Sequence, residues 1–414
     1  MSKHRYYFSC LLIVSLCFSR AIFASNFHAD EQSNRVLSAN KNIVKTTNKT
    51  AIVLGIDQEN RYLPLLKNKK VALVVNQTSI RHNGQHLVDY LLANNIDVRV
   101  IFAPEHGFRG NHDAGEKVNS SIDKKTAIPL LSLYGKSRKP SAQVMAKLDV
   151  LLFDIQDVGV RYYTYISTLH YVMEAVAQAG KKLIILDRPN PNIAFVDGPI
   201  LSLAFRSFVG MDTIPLLHGM TVGELAKMLK GEKWLAIKRE LDLTVITMAN
   251  YQRNSQYSLP IKPSPNLPND RAIALYPSLG FFEATAVSIG RGTEFPFQVI
   301  GHDKVKLGHF VFMPKSTPNA ALTPKLMNKR LYGLDLRNSL QRGLNLHWFY
   351  NAYYAFKKAG IKFIIHPEFL DKLAGNDKFR KALQAGKSLE EIKQSWQQDL
   401  ENFKKQRKPY LLYP

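Results

Sequence analysis

Residues 71–103 read VALVVNQTSIRHNGQHLVDYLLANNIDVRVIFA. VALVVN at 71–76 is a short, continuous apolar run, HLVDYLLANN at 86–95 has helical spacing, and VRVIFA at 98–103 is a second apolar run. Strand, helix and strand in this order form a βαβ unit. The pattern recurs downstream. PLLSLYG at 129–135 is followed by a helical stretch at 141–147, VLLFDIQD at 150–157, a helical stretch at 166–179 and KKLIILDRP at 181–189. Strands that are apolar on both faces belong in a parallel sheet covered by helices. The spacing therefore predicts a Rossmann-like, doubly wound α/β domain over 51–295.

The last third reads differently. GHFVFMPK at 308–315 and LYGLDLRN at 331–338 suggest β-structure between Pro-rich loops. LHWFYNAYYAFKKAG at 346–360 is an aromatic amphipathic helix stopped by glycine, and 388–405 reads as one further helix. Ser388 with Glu391 makes a capping box at its start. A second, smaller α/β subdomain is expected over 296–414.

Toward the front, Lys3, His4 and Arg5 precede an apolar run from Cys10 to Phe18, with small residues at Ala21 and Ala24. This is the plan of a secretory signal peptide, expected over 1–24. The run is too short to span a bilayer, which needs about 20 apolar residues. Residues 25–50 are polar and read as a flexible leader. An exported product, periplasmic or secreted, is expected. Both cysteines, Cys10 and Cys17, would leave with the signal, so no disulfide is expected.

The chain has 414 residues, 45% of them hydrophobic, which excludes a disordered chain. Its formal charge is +23, and loss of Lys3, Arg5 and Arg20 lowers that by three to +20. Such a charge suits an anionic partner. Export makes nucleic acid an unsuitable one and an acidic envelope polymer a better one.

Several chemistries lack their motifs. No G-x-G-x-x-G follows an early strand, and there is no P-loop and no H-E-x-x-H. No G-x-S-x-G elbow occurs. No cofactor and no metal are expected. His106, His112 and Asp113 lack an obvious fourth ligand. Acid/base chemistry by carboxylates remains.

Open α/β sheets bind ligands beyond the carboxyl ends of their strands. Three strands here end in dense polar loops: Pro104-Glu105-His106-Gly107-Phe108-Arg109 after VIFA, Asp154 to Tyr165 after VLLF, and Asp187-Arg188-Pro189-Asn190 after KLIIL. Glu105 is a carboxyl placed where water is partly excluded, as a general acid requires. Glu116 is a second carboxylate across the intervening loop, and glycoside hydrolysis typically uses two. Asp154 and Asp157 compete for that role, although aspartates at strand ends often cap turns. His106, Arg109 and Asn190 are candidate substrate contacts. Arg161 beside Tyr162 and Tyr163 offers a planar cation next to aromatic faces, suited to a carboxylate and a sugar ring. Arg291, between Gly290 and Gly292, is a second candidate anion clamp. Thr221 and Glu224 form a capping box, which makes Glu224 structural.

The strings PEHGFRG, DAGEKV, SLYG, FDIQDVGVRYYTYISTL, LDRPNP, HGMTVGELA, PSPNLP and IGRGTEFPF, in this order, resemble the exo-β-N-acetylmuramidase family (NamZ/YbbC-like). The likeness runs from about residue 52 to the end. It implies a glycosidase that releases non-reducing-terminal N-acetylmuramic acid from peptidoglycan fragments, with a cleft between a Rossmann-like domain and a smaller subdomain. It places the family's catalytic glutamate on Glu105, and its substrate's lactyl carboxylate would give Arg161 or Arg291 a purpose. EATAVS at 283–288 and NPNIAF at 190–195 depart from the family's pattern, which bears on specificity. The residues alone also leave open a non-catalytic cell-wall glycan-binding protein, or another muropeptide hydrolase such as an esterase or amidase.

Overall fold

The computed structural model describes residues 51–109, 120–135 and 137–414. The expected signal segment and leader lie outside the described residues. Ala51–Pro414 forms one compact unit.

The first strand, β1 (Val71–Val75), is followed by β2 (Val98–Ala103), β3 (Ser121–Ile122), β4 (Pro129–Ser132), β5 (Val150–Asp154) and β6 (Lys182–Leu186). A short hairpin-like pair, β7 (Asp197–Ile200) and β8 (Pro215–Leu217), precedes β9 (Asp242–Ile246). The main sheet has the order β3-β4-β2-β1-β5-β6-β9. All its pairs are parallel except β3 with β4. Taking the parallel strands in chain order, the arrangement is third, second, first, fourth, fifth, sixth. That is the doubly wound order, and its switch point lies between β1 and β5.

The sheet is buried on both faces, as its apolar runs require. Ala72 and Val74 of β1 join Leu151 and Phe153 of β5 in one core. Their alternates Val71, Leu73, Val75, Val150 and Leu152 join a second core on the opposite face. A period of two sends alternate side chains to opposite faces, so one strand feeds both cores.

The smaller part is built on a three-stranded antiparallel sheet of β10 (Val299–His302), β11 (Phe310–Phe312) and β12 (Leu331–Asp335), with β12 central. The helix His347–Lys358 meets β10 through Phe356, 4.7 Å from His302, while Phe349, Phe363 and Phe379 from this helix, the following loop and the helix Lys378–Gln384 gather around Phe281 and Phe282. Both expected capping boxes form, at Thr221/Glu224 and at Ser388/Glu391. One expectation is corrected. Residues 388–405 are not one helix but two, Leu389–Gln394 and Gln397–Arg407. The break falls at Trp396, whose ring is buried and whose Nε1 donates to Asp197 Oδ1 at 3.2 Å. Anchoring that indole to β7 turns the chain where helical spacing alone predicts continuity.

Candidate active site

A cleft of about 400 Å³ opens beyond the carboxyl ends of the parallel strands, and both parts of the chain line it. Glu105 enters from the turn after β2. That turn places His106 at φ 68° and Gly107 at φ 77°. A non-glycine residue in the left-handed region is strained, and such strain clusters where a side chain must be presented. Glu105 is 9% exposed and His106 6%.

The helix Tyr165–Gln178 begins beside it. Thr164 occupies the N-cap position but does not cap. Its hydroxyl instead donates to Glu105 Oε2 at 2.5 Å. Tyr134, from the turn after β4, lines the cleft beside it, and burial followed by the Glu105 charge raises the Tyr134 phenol well above its usual range. The Tyr165 hydroxyl donates to the Glu105 carbonyl at 3.4 Å and to Pro263 O at 3.3 Å. Thr164 thus fixes the carboxyl and Tyr165 its backbone, both from the loop and helix start that follow β5.

An aromatic wall stands beside it. Tyr276 contacts Tyr162, Tyr163 and Phe297 edge-to-face at 5.1, 5.9 and 4.9 Å. Tyr162 donates to the carbonyls of Tyr276 and Pro277, each at 2.9 Å, and Tyr163 to Pro263 O at 2.8 Å. Gly280 is required for this packing, since a Cβ there would lie 2.4 Å from the Tyr162 hydroxyl. Burial, then the charge of Glu283, raise the Tyr276 phenol far above its usual range, with Glu105 adding to it. The wall therefore stays neutral and keeps its O–H donors.

The opposite rim carries Glu283, from the turn Gly280–Ala284, and Arg291. They pair at 2.5 Å through Nη2 and 3.2 Å through Nε. Burial acts to lower the guanidinium, and Glu283 outweighs it. Lys325 Nζ holds the backbone of this turn from behind, donating to Phe282 O at 3.1 Å and to the carbonyls of Glu283 and Thr285. Burial pulls that amine down to about 8.

Of the residues expected from sequence, Glu105, His106, Tyr162, Tyr163 and Arg291 line this cleft together. Glu116, His112 and Asp113 lie outside the described residues. The other expectations are corrected by what each side chain touches. Arg161 is wholly buried and donates to Pro199 O, Ile214 O and Leu373 O at 2.7, 2.8 and 2.9 Å, so its Nη donors go to backbone, and burial keeps an anion from reaching it. Asp154, also buried, pairs with Arg188 at 2.5 and 2.9 Å. Asp157 accepts from Gly159 N at 2.6 Å beneath the surface, where burial pushes its carboxyl up to about 7. Asn190 is buried, donating to Met220 O and accepting from Asn192 N. Arg109 turns to Asp123 at 2.9 Å.

Sequence reasoning missed Tyr134, Thr164, Tyr276, Glu283 and Arg138 as cleft residues. The first two sit inside quoted strings, SLYG and YYTYISTL, and their positions just after strands are the signal that finds them. Among the described residues no three His, Cys, Asp or Glu side chains gather as a metal would need. No helix there is long and apolar enough to cross a membrane.

Comparison with known proteins bears on this geometry. A family model described as "Exo-beta-N-acetylmuramidase NamZ, N-terminal" matches residues 71–271, and its C-terminal counterpart matches 274–413. The chain is 38% identical over 395 residues to the peptidoglycan beta-N-acetylmuramidase NamZ of Bacillus subtilis (strain 168), covering 89% of this chain and 93% of that protein. Among solved structures, a DUF1343 family protein from Bacteroides fragilis NCTC 9343 is 47% identical and superposes with a TM-score of 0.80, over 88% of this chain and 99% of that one. A second DUF1343 protein of the same strain is 27% identical, with a TM-score of 0.76 over the same shares.

Proposed function

The chain belongs to the exo-β-N-acetylmuramidase NamZ family, and from that membership we propose how its cleft performs the family's reaction. The protein is an exo-acting glycoside hydrolase that releases N-acetylmuramic acid from the non-reducing end of peptidoglycan fragments. Glu105 is the proton donor. One observation carries this assignment: Glu105 is a nearly buried carboxyl at a strand's carboxyl end, held by the Thr164 hydroxyl and lining the cleft beside Tyr134.

The step balances simply. Glu105 protonates the glycosidic oxygen as its bond to C1 breaks, and the leaving sugar departs as a neutral alcohol. C1 develops oxocarbenium character, and water supplies the hydroxyl that completes the released sugar, its other proton restoring the acid form of Glu105 over the turnover. Thr164 holds the carboxyl in one orientation, which matters because a misplacement of about 1 Å costs about 100-fold in rate. The aromatic wall of Tyr162, Tyr163 and Tyr276 offers apolar faces to the sugar ring.

Glu105→Gln removes the acidic proton and keeps the shape. Release of N-acetylmuramic acid from a chromogenic β-muraminide should fall by at least about 100-fold, with the melting temperature nearly unchanged. Unchanged turnover overturns the assignment.

Export is part of the same proposal. The basic start, the short apolar run and Ala24 support a signal peptide, and the cell wall is where the substrate is. N-terminal sequencing of the protein from a periplasmic fraction should begin at Ser25. Recovery of the full-length chain from the cytoplasm alone contradicts it.

A further inference from the structure

We propose that Arg138 is the residue that binds the substrate's lactyl carboxylate and so makes the cleft select muramic acid over glucosamine. The proposal rests on the muramidase reading above. N-acetylmuramic acid differs from N-acetylglucosamine by one group, an ether-linked lactyl chain ending in a carboxylate. A cleft that selects it needs a cation whose donors are not already used.

Five arginines stand near the strand ends or line the cleft, and four are committed. Arg161 lies buried on three carbonyls, Arg109 pairs with Asp123, Arg188 with Asp154 and Arg291 with Glu283. Arg138 lines the same cleft as Glu105, is exposed, and pairs with no carboxylate among the described residues. It is nonetheless placed. Its guanidinium lies over the Phe208 ring, 4.6 Å from the centroid. Phe208 is itself packed between Tyr134 at 5.7 Å and Tyr171 at 6.4 Å. Stacking of this kind fixes the plane of the guanidinium while leaving its edge donors free, and that edge matches a carboxylate.

The position fits one sugar ring. Tyr134 lines the cleft with both Glu105 and Arg138 and feels the charge of each, so proton donor and cation share it as a neighbour. The glycosidic oxygen and the lactyl ether sit on C1 and C3 of the same ring. A group that binds the lactyl carboxylate must therefore lie within one sugar of the acid, and Arg138 lines the same cleft of about 400 Å³ as Glu105.

The test compares two chromogenic substrates, the β-muraminide with a free lactyl acid and the same compound with that acid converted to its primary amide. The wild-type enzyme should prefer the acid. Arg138→Ala should lose about 10- to 100-fold in kcat/KM on the acid, chiefly through KM, and the acid-to-amide ratio should collapse toward one. Arg138→Lys should recover part of the preference, because it keeps the charge and loses the fork. Equal losses on acid and amide, or no loss on either, overturn the proposal.

Calorimetric binding of free N-acetylmuramic acid and its lactyl amide, to wild type and to Arg138→Ala, separates the two readings. Arg138-dependent preference for the acid without turnover would sustain the clamp and contradict the hydrolase reading. Turnover with a preference untouched by Arg138→Ala would do the reverse.

Discussion

Arg161 heads the largest wholly buried side chains among the described residues, and its three hydrogen bonds say why it is there. Pro199 lies in β7 and Ile214 just before β8, while Leu373 lies in the last turn of the helix Pro367–Ala374. One guanidinium thus ties the β7/β8 pair to the smaller part and satisfies a carbonyl at a helix C-terminus, where cations are favoured. Arg161→Ala should leave three buried carbonyls short of donors and cost about 3 kcal/mol or more. A denaturant melt should show a lowered midpoint, with KM unchanged in enzyme that remains folded. A raised KM at unchanged stability would return Arg161 to the substrate. The sequence around it, VRYYTY, reads equally as a cation beside sugar-stacking rings or as core. Only tertiary packing separates these, because Leu373 is 212 residues away. Glu105 was legible for the opposite reason. Its place in the cleft follows from local position, a polar residue just beyond a buried strand at a turn with glycine.

At the scale of elements, the helix Tyr165–Gln178 does two jobs. Its start delivers Thr164 to Glu105, and its middle holds a charged lock. His170 Nδ1 lies 2.9 Å from Asp212 and its Nε2 3.3 Å from Glu174, which also takes Lys139 at 2.9 Å. Asp212 follows the turn closed by the Ser207–Gly210 bridge, which carries Phe208 and Val209 into the cleft. Burial acts to lower the imidazole, but the two carboxylates win and push it up to about 9. The folded protein therefore binds a proton more tightly than the unfolded chain, whose histidine titrates near 6.5. The stability this gives is complete below about pH 6.5 and is lost as pH rises toward about 9. Unfolding free energy should decline across that window in the wild type, and the decline should flatten in His170→Gln. An unchanged slope in the variant would assign the decline elsewhere. None of this is visible locally. ISTLHYVMEA reads as an ordinary amphipathic helix, and its i,i+4 histidine–glutamate pair gives no hint of Asp212. The split at Trp396 escaped the sequence in the same way, since spacing records a helix face but not the anchor that bends the chain.

For the molecule as a whole, the doubly wound sheet was legible because each strand is short, apolar and buried on both sides. The strand order follows from connection rules once those strands are known. The cleft was legible only on its sheet side. Its other side comes from Tyr276, Glu283, Arg291 and Phe369, which lie in and beyond the helix Asp270–Leu279 and face Glu105 because the smaller part packs there. Arg291 was found through its flanking glycines, but its partner Glu283 was seen only as a departure from a family string. Arg138 lies in KSRKP, a basic stretch with no motif around it. We propose that this two-sided cleft holds the glycosidic bond against Glu105. The structure of Glu105→Gln with a muramyl–glucosamine disaccharide bound decides it. The muramic ring should lie against Tyr276 and the glycosidic oxygen about 3 Å from the substituted side chain, within hydrogen-bond reach. A disaccharide seated elsewhere, or one whose glycosidic oxygen faces a different carboxylate, would contradict it.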